Sequence, residues 1–247
     1  METSENNNLQ TVVQSLINFF TIRIHPAGWP FILGFAFVSI LLAMMSEVLG
    51  MLGLMLTVWC LYFFRDPVRM VPENKGVIVS SADGVVSDIQ EKVTLPKELK
   101  KNDTDGAEYT RVSTFLSVFD VHVNRVPVAG KIKEMVYVPG KFINAELDKA
   151  SEDNERSITL VETKDGQEVA FVQIAGLIAR RIKNYIEEGQ DMKAGERMGI
   201  IRFGSRVDIY LPKGVAPQVV IGQRMVAGET VLGTIGSKDK ALKAVEV

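Results

Sequence analysis

The sequence is poor in the residues that bind metals and cross-link chains. Its 247 residues include one cysteine, Cys60, and two histidines, His25 and His122. One cysteine cannot form an intramolecular disulfide, and this donor set is too small for a Cys/His zinc site. No spacing of carboxylates asks for a metal, so none is expected. A single thiol is compatible with a reducing compartment. An excess of one charge is also missing: 28 basic residues face 30 acidic ones, a formal net charge of −2. That balance, with no charge runs, argues against a nucleic-acid partner and against a charged tail. Tryptophan is scarce, and both copies, Trp29 and Trp59, fall in one apolar stretch.

That stretch is where the sequence is rich. Residues 29–64, WPFILGFAFVSILLAMMSEVLGMLGLMLTVWCLYFF, carry a single charge, Glu47. As one straight helix they would run about 54 Å, at ~1.5 Å per residue. The hydrocarbon layer is about 30 Å thick. Two short spans, 29–45 and 48–64, turning at Ser46 and Glu47, are therefore predicted. Each is near the lower limit for crossing, so a re-entrant hairpin stays open as the alternative. Arg23 and His25 precede the first span, and Arg65, Arg69 and Lys75 follow the second. The positive-inside tendency then places both ends, and the domain that follows, on the cytoplasmic side of the inner cell membrane. The run is too long and starts too late for a cleavable signal peptide. Upstream, Leu9, Val12, Val13, Leu16, Ile17 and Phe20 recur at helical spacing. Residues 1–28 read as an amphipathic segment that lies on the membrane or packs on the domain.

From residue 65 to 247 the pattern changes to short strands broken by turns. Alternation is visible at 76–89, 111–116, 130–138, 157–163, 168–174, 197–203 and 207–211. Residues 94–107 are polar and read as a loop or short helical excursion. Residues 175–181 begin a helix or complete a strand. AGERMGII (194–201) is echoed by AGETVLGTI (227–235), each with Gly-Glu at a bend before an apolar strand. The expected fold is mainly β: a small barrel or sandwich of biotinyl/lipoyl type with duplicated halves, preceded by the helical membrane hairpin.

Three places draw chemical interest. Gly204–Ser205 lies between two apolar strands in RFGSRVDIYLP (202–212). His122, the only histidine after the hairpin, sits in FLSVFDVHVNRVPVAG (115–130). As the one residue there whose unperturbed pKa lies near neutrality, it is the candidate acid or base. Asp83 belongs to SSADGVV (80–86). Taken singly, each has a plain reading: a turn dipeptide, a hydrogen-bonded strand histidine and an Asp-Gly turn.

Together these segments resemble the phosphatidylserine decarboxylase family, in its short form with a membrane hairpin. The resemblance is carried by FFRDPVR (63–69), SSADG (80–84), SVFDVHVNRVPVAGKI (117–132), QIAGLIARRI (173–182), GIIRFGSRVDIYLP (199–212) and GETVLG (228–233). It implies a proenzyme that cuts itself between Gly204 and Ser205, with Ser205 attacking the Gly204 carbonyl. It implies that Ser205 then becomes a covalent pyruvoyl group, and that the large and small chains stay together. Ser205, His122 and Asp83 take the roles of nucleophile, base and supporting carboxylate, by analogy with a hydrolase triad. The implied reaction is loss of carbon dioxide from phosphatidylserine to give phosphatidylethanolamine, with no metal and no diffusible cofactor. The lipid tails, acyl or isoprenoid ether, and any homo-oligomeric assembly stay open.

The chain departs from the family pattern at one point. A second histidine is common three positions after the first, where this chain has Arg125. Arginine cannot act as a base at ordinary pH. It is left to pair with the substrate phosphate or carboxylate, or to form a structural ion pair. Arg180 and Arg181 are further candidates for the lipid phosphate, with solvent exposure as the alternative. Two rival functions stand beside this one: a non-catalytic, membrane-anchored barrel scaffold, and a pyruvoyl decarboxylase for another serine-head-group lipid.

Overall fold

A computed structural model describes residues 23–100, 106–140, 154–176, 181–202 and 205–245. The helical segment expected within 1–28 lies largely outside them. The chain divides into two compact units, Met1–Val68 and Arg69–Val247.

In the first unit, a short 3-10 turn leads into α1 (Trp29–Met45), followed after Ser46 by α2 (Glu47–Phe63). Pro30 sits in the first turn of α1, where a missing N–H costs nothing. The reversal is tighter than the sequence suggests: Ser46 alone is extended, and Glu47 already belongs to α2. The seam between the helices is built from small residues. A Cβ on Gly50 would lie 2.6 Å from Ala43 Cβ, and one on Gly53 would lie 2.7 Å from Ser39 Oγ. The Ser39 and Thr57 hydroxyls meet across the seam at 3.1 Å. Close approach through small residues is how apolar helices pack where water supplies no drive. Large side chains such as Leu33, Phe37, Ile40, Met44, Met51 and Leu54 point outward and are exposed. Residues 26–45 are long and apolar enough to cross a membrane. The strands of chain entering and leaving the hairpin are tied by His25 N donating to Phe64 O at 2.8 Å.

The second unit is β structure. Its strands are β1 (Val77–Val79), β2 (Gly84–Val93), β3 (Tyr109–Leu116), β4 (Val123–Arg125), β5 (Gly130–Val138), β6 (Arg156–Glu162) and β7 (Glu168–Ala175). They continue as β8 (Ile182–Asn184), β9 (Asp191–Met192), β10 (Arg197–Ile201), β11 (Ser205–Leu211), β12 (Arg224–Met225) and β13 (Val231–Thr234). The expected strand at 76–89 is thus two strands, broken at 80–83, and the last expected strand starts earlier, at Ser205. An antiparallel sheet runs in the order β12-β2-β3-β11-β7-β6-β5-β9. Two smaller sheets, β4-β10-β8 and β1-β13, accompany it.

Alternation sorts the large sheet into two faces. Val112, Leu116, Val161, Phe171, Ala175, Val207, Ile209 and Leu211 face one core, shared with Val126, Met198, Ile201 and Leu232 of the small sheets. Ile158, Leu160, Val172, Ile174 and Tyr210 face the other, where Leu99 and Tyr109 join them. β11 is buried along its whole length, on both faces.

The echo between 194–201 and 227–235 is a real structural duplication. Val79 N donates to Pro127 O (2.8 Å), and Arg125 N donates to Ser81 O (2.9 Å). Exchanging residue 80 with 126 turns one bond into the other, which is a local two-fold axis. The bends repeat this scheme one residue out of step: Gly228 N donates to Ser80 O and Ser80 N to Thr230 O, while Gly195 N donates to Val126 O and Val126 N to Glu196 O. Gly195 and Gly228, both at positive φ, occupy equivalent bends. Gly84 and Gly130 open equivalent strands, pairing with Met225 and Met192.

Those last two glycines have no room for a side chain. A Cβ on Gly130 would come 2.3 Å from Glu162 O, and one on Gly84 would come 2.1 Å from Phe115 O. Gly130→Ala is predicted to destabilise the domain by about 3 kcal/mol or more, because backbone must move. Gly166→Ala, at a glycine with positive φ that faces open space, is predicted to cost only about 1–2 kcal/mol. Denaturant unfolding of the two variants in detergent checks the difference.

Candidate active site

Ser205 is the first residue of β11, paired with Leu116 of β3 and Ala175 of β7. Alternation aims it at the inner face with Val207 and Ile209. It is fully buried. Its Oγ has no hydrogen-bond partner among the described residues. A buried hydroxyl without a partner is costly and calls for an explanation. The next residue points the other way and is locked. Arg206 donates to both oxygens of Asp208, at 2.6 and 2.8 Å, in a buried bidentate pair. Arg111, of β3, stands beside Asp208. Burial and the nearby Asp208 charge push the Tyr210 hydroxyl up to about 12. The strand that presents Ser205 is therefore fixed from its opposite face.

His122 follows a turn built by Asp120. The Asp120 carboxylate accepts from Ser117 N and Ser117 Oγ, both at 2.8 Å, and from the Arg224 guanidinium. The Asp120 carbonyl lies 2.9 Å from His122 Nδ1. A carbonyl can only accept, so Nδ1 carries the proton and a neutral ring keeps Nε2 as its acceptor. His122 O accepts from Ile201 N at 3.3 Å. The histidine therefore lies beside the end of β10, just before the chain reaches Ser205.

Asp83 lies in the crossing segment between β1 and β2. Its carboxylate accepts from Arg69 Nη2 at 2.6 Å and from Ala227 N at 2.8 Å. Burial raises its pKa above the ordinary carboxylate value. Arg69 and the Ala227 N–H oppose that rise, and the neighbouring Asp120 charge adds to it. Asp83 and Asp120 thus share one electrostatic neighbourhood, and Asp120 in turn holds His122.

The arginines are placed differently from one another. Arg125 is buried, and its Nη1 donates to Gly195 O at 2.8 Å, in one of the duplicated bends. Arg181 is exposed, and its carbonyl accepts from Arg202 N at 3.4 Å. Arg180 and Gly204 lie outside the described residues. No group of three or more His, Cys, Asp or Glu side chains among the described residues is arranged to hold a metal.

Four residues of this neighbourhood were not singled out from sequence: Arg69, Asp120, Asn124 and Gln173. Arg69 is in FFRDPVR, and Asp120 is two positions before His122. Asn124 and Gln173 are polar residues in mainly apolar runs, VHVNRVPV and EVAFVQIA. In each strand that interruption was the available signal. Gln173 Nε2 donates to Asn124 Oδ1 at 2.8 Å, and both residues are fully buried.

Fold and site together describe a β-sheet protein with a buried serine at a strand start, a histidine whose Nδ1 is held by a carbonyl, and a carboxylate paired with an arginine. The model of the phosphatidylserine decarboxylase family matches residues 56–233. A phosphatidylserine decarboxylase proenzyme of Ruegeria pomeroyi is 53% identical over 216 residues, covering 87% of this chain and 97% of the relative. One of Rickettsia bellii is 54% identical over 218 residues, covering 88% and 93%. A third, of Paramagnetospirillum magneticum, is 51% identical over 227 residues, covering 92% and 93%. The chain belongs to the phosphatidylserine decarboxylase family of enzymes.

The raised Asp83 pKa means that the folded protein binds this proton more tightly than the unfolded chain. The group's contribution is therefore most favourable in acid and falls as pH rises through the raised value. Arg69 opposes that fall. Arg69→Met is predicted to cost about 2–4 kcal/mol at neutral pH, from breaking a largely buried pair, and less where Asp83 is neutral. Adding Asp83→Asn should remove most of that pH dependence, as read by unfolding at several pH values.

Proposed function

We propose that this protein decarboxylates phosphatidylserine to phosphatidylethanolamine, with a pyruvoyl group made from Ser205 by self-cleavage at Gly204–Ser205. The observation that carries this reading is the buried, unpartnered Ser205 Oγ at the head of an immobilised strand. The proenzyme names of the relatives support it.

In cleavage, Ser205 Oγ adds to the carbonyl carbon of residue 204, and its proton passes to His122 Nε2. The peptide C–N bond then breaks, with a proton delivered to the freed amine, and an ester joins the two pieces. Loss of the Ser205 α-proton expels the upstream chain as a carboxylate. Water replaces the nitrogen, which leaves as ammonia.

Ser205, flanked by Leu116 and the small Ala175, fits a pyruvoyl group in a dry, apolar setting. That group supplies a carbonyl system that takes up the electron pair released as carbon dioxide departs. His122 returns a proton to the carbon that lost the carboxylate. Asp83 holds the charge balance of the pocket with Arg69. Arg181 and Arg180 are assigned to the lipid phosphate. Arg125, engaged with Gly195, is assigned to the scaffold rather than to substrate. The pieces 1–204 and 205–247 stay associated because the small one contributes β11, hydrogen-bonded on both sides, along with β12 and β13. The substrate's tails stay in the bilayer, so the α1–α2 hairpin serves as the anchor, on the cytoplasmic side by the charge of its flanks.

Intact mass measurement is the test. Wild type should give two pieces, the smaller starting at a pyruvoyl-blocked residue 205, and Ser205→Ala should stay whole. A folded wild type that remains one chain would remove the pyruvoyl reading and leave a membrane-anchored scaffold. His122→Ala should stay largely uncut, and the fraction that does cut should lose about 10²–10⁴-fold in decarboxylation rate per cut chain, measured as carbon dioxide release from phosphatidylserine in mixed micelles. Turnover of a different serine-head-group lipid instead would redirect the substrate assignment.

A further inference from the structure

Asn124 and Gln173 form a buried amide pair that leaves hydrogen-bonding capacity over. Asn124 Nδ2 and Gln173 Oε1 have no partner among the described residues, and neither does Ser205 Oγ. With Gln173 Nε2 donating to Asn124 Oδ1, the amide nitrogen left over is that of Asn124 and the amide oxygen left over is that of Gln173. Fully buried polar atoms are seldom left so without a role.

The pair lies where Ser205 reacts. Gln173 and Ser205 are on the same face of the large sheet, since Ala175 pairs with Ser205 and Gln173 with Val207. They are diagonal neighbours on adjacent strands, a separation of about 7–8 Å that a long side chain spans. Asn124 comes to this face from β4, as its bond to Gln173 shows. It follows by two residues His122, which stands just before β4. One short segment, 122–124, thus carries both the proposed base and a spare amide donor.

We propose that the spare N–H of the Asn124–Gln173 pair donates to the oxygen that becomes negative when Ser205 Oγ adds to the preceding carbonyl. In that step the Oγ–C bond forms, the hydroxyl proton goes to His122, and the carbonyl π pair moves onto oxygen. A fixed donor in a site without water favours that charge more than it favours the neutral peptide. Asn124 is the donor, and Gln173 is the positioning residue that holds its amide in orientation. This role rests on the self-cleavage reading above.

The decisive variant is Asn124→Asp. It keeps the side chain's shape and still accepts from Gln173, but it has no N–H to give. Freshly synthesised full-length chain should convert to its two pieces about 10²–10³-fold more slowly than wild type, as read on gels. Gln173→Glu supplies a second readout that a purely structural role would not move. Its protonated form can again donate to Asn124 Oδ1 and free the Asn124 N–H. The ratio of its cleavage rate to that of wild type should therefore climb as pH falls. Conversion of Asn124→Asp at the wild-type rate, or a Gln173→Glu ratio flat with pH, would overturn the proposal. So would a hydroxylamine-sensitive ester that accumulates in either variant, since the donor would then act after ester formation. A wild type that never cuts removes the Ser205 reading itself, an outcome distinct from a cutting wild type beside an equally fast variant.

Discussion

The β unit depends on one crossing. Residues 79–81 and 125–127 run past each other and exchange two hydrogen bonds, Val79 N to Pro127 O and Arg125 N to Ser81 O. Each partner also receives a glycine bend from the C-terminal part of the chain, Gly228 onto Ser80 and Gly195 onto Val126. Beyond the crossing, each half opens into a strand through a glycine without room for a Cβ, Gly84 or Gly130. The arrangement satisfies the backbone of two buried segments at once, which a segment buried alone could not do. Arg125 reinforces it by reaching from one half to the bend at Gly195.

On this symmetric frame the chemistry is asymmetric. The exchange that superposes residue 80 on 126 places Ala129 where the other half has Asp83, and Gly76 and Ile78 where it has His122 and Asn124. The scaffold halves are equivalent, yet the polar residues of the site are not repeated. Asp83 comes from one half, and His122 and Asn124 come from the other. Ser205 belongs to neither, because β11 lies in the middle of the large sheet.

The electrostatics are divided between the two faces of that sheet. On the outer face, Arg206, Asp208 and Arg111 are mutually paired, so the charge buried there is compensated. On the inner face, Ser205, Asn124 and Gln173 keep polar atoms without partners among the described residues. Polar groups left without partners in a dry interior are high in free energy and respond strongly to any charge that develops beside them. The ion-paired charges of the outer face hold the strand while the inner face carries that cost.

Much of the architecture was legible in the sequence because it follows from local patterns. An apolar run too long for one span and interrupted at Ser46 and Glu47 reads as two helices. Period-two alternation locates the strands, and the Gly-Glu echo reports the duplicated bends. Ser205, His122 and Asp83 were identified as candidates from the motifs around them. The functional partners of these residues were not legible, because each arises from a contact distant in sequence. Arg69 reaches Asp83, Ala227 N caps the same carboxylate, and Gln173 meets Asn124. The bond from Arg125 to Gly195, 70 residues away, was equally invisible in the sequence. The sequence by itself determined most of the secondary structure, the apolar helical hairpin and the residue types available for chemistry, since these depend on neighbours along the chain. Tertiary structure alone decided which of them meet, which proton His122 keeps and which polar atoms stay unpaired, because those depend on strand register and on burial away from water.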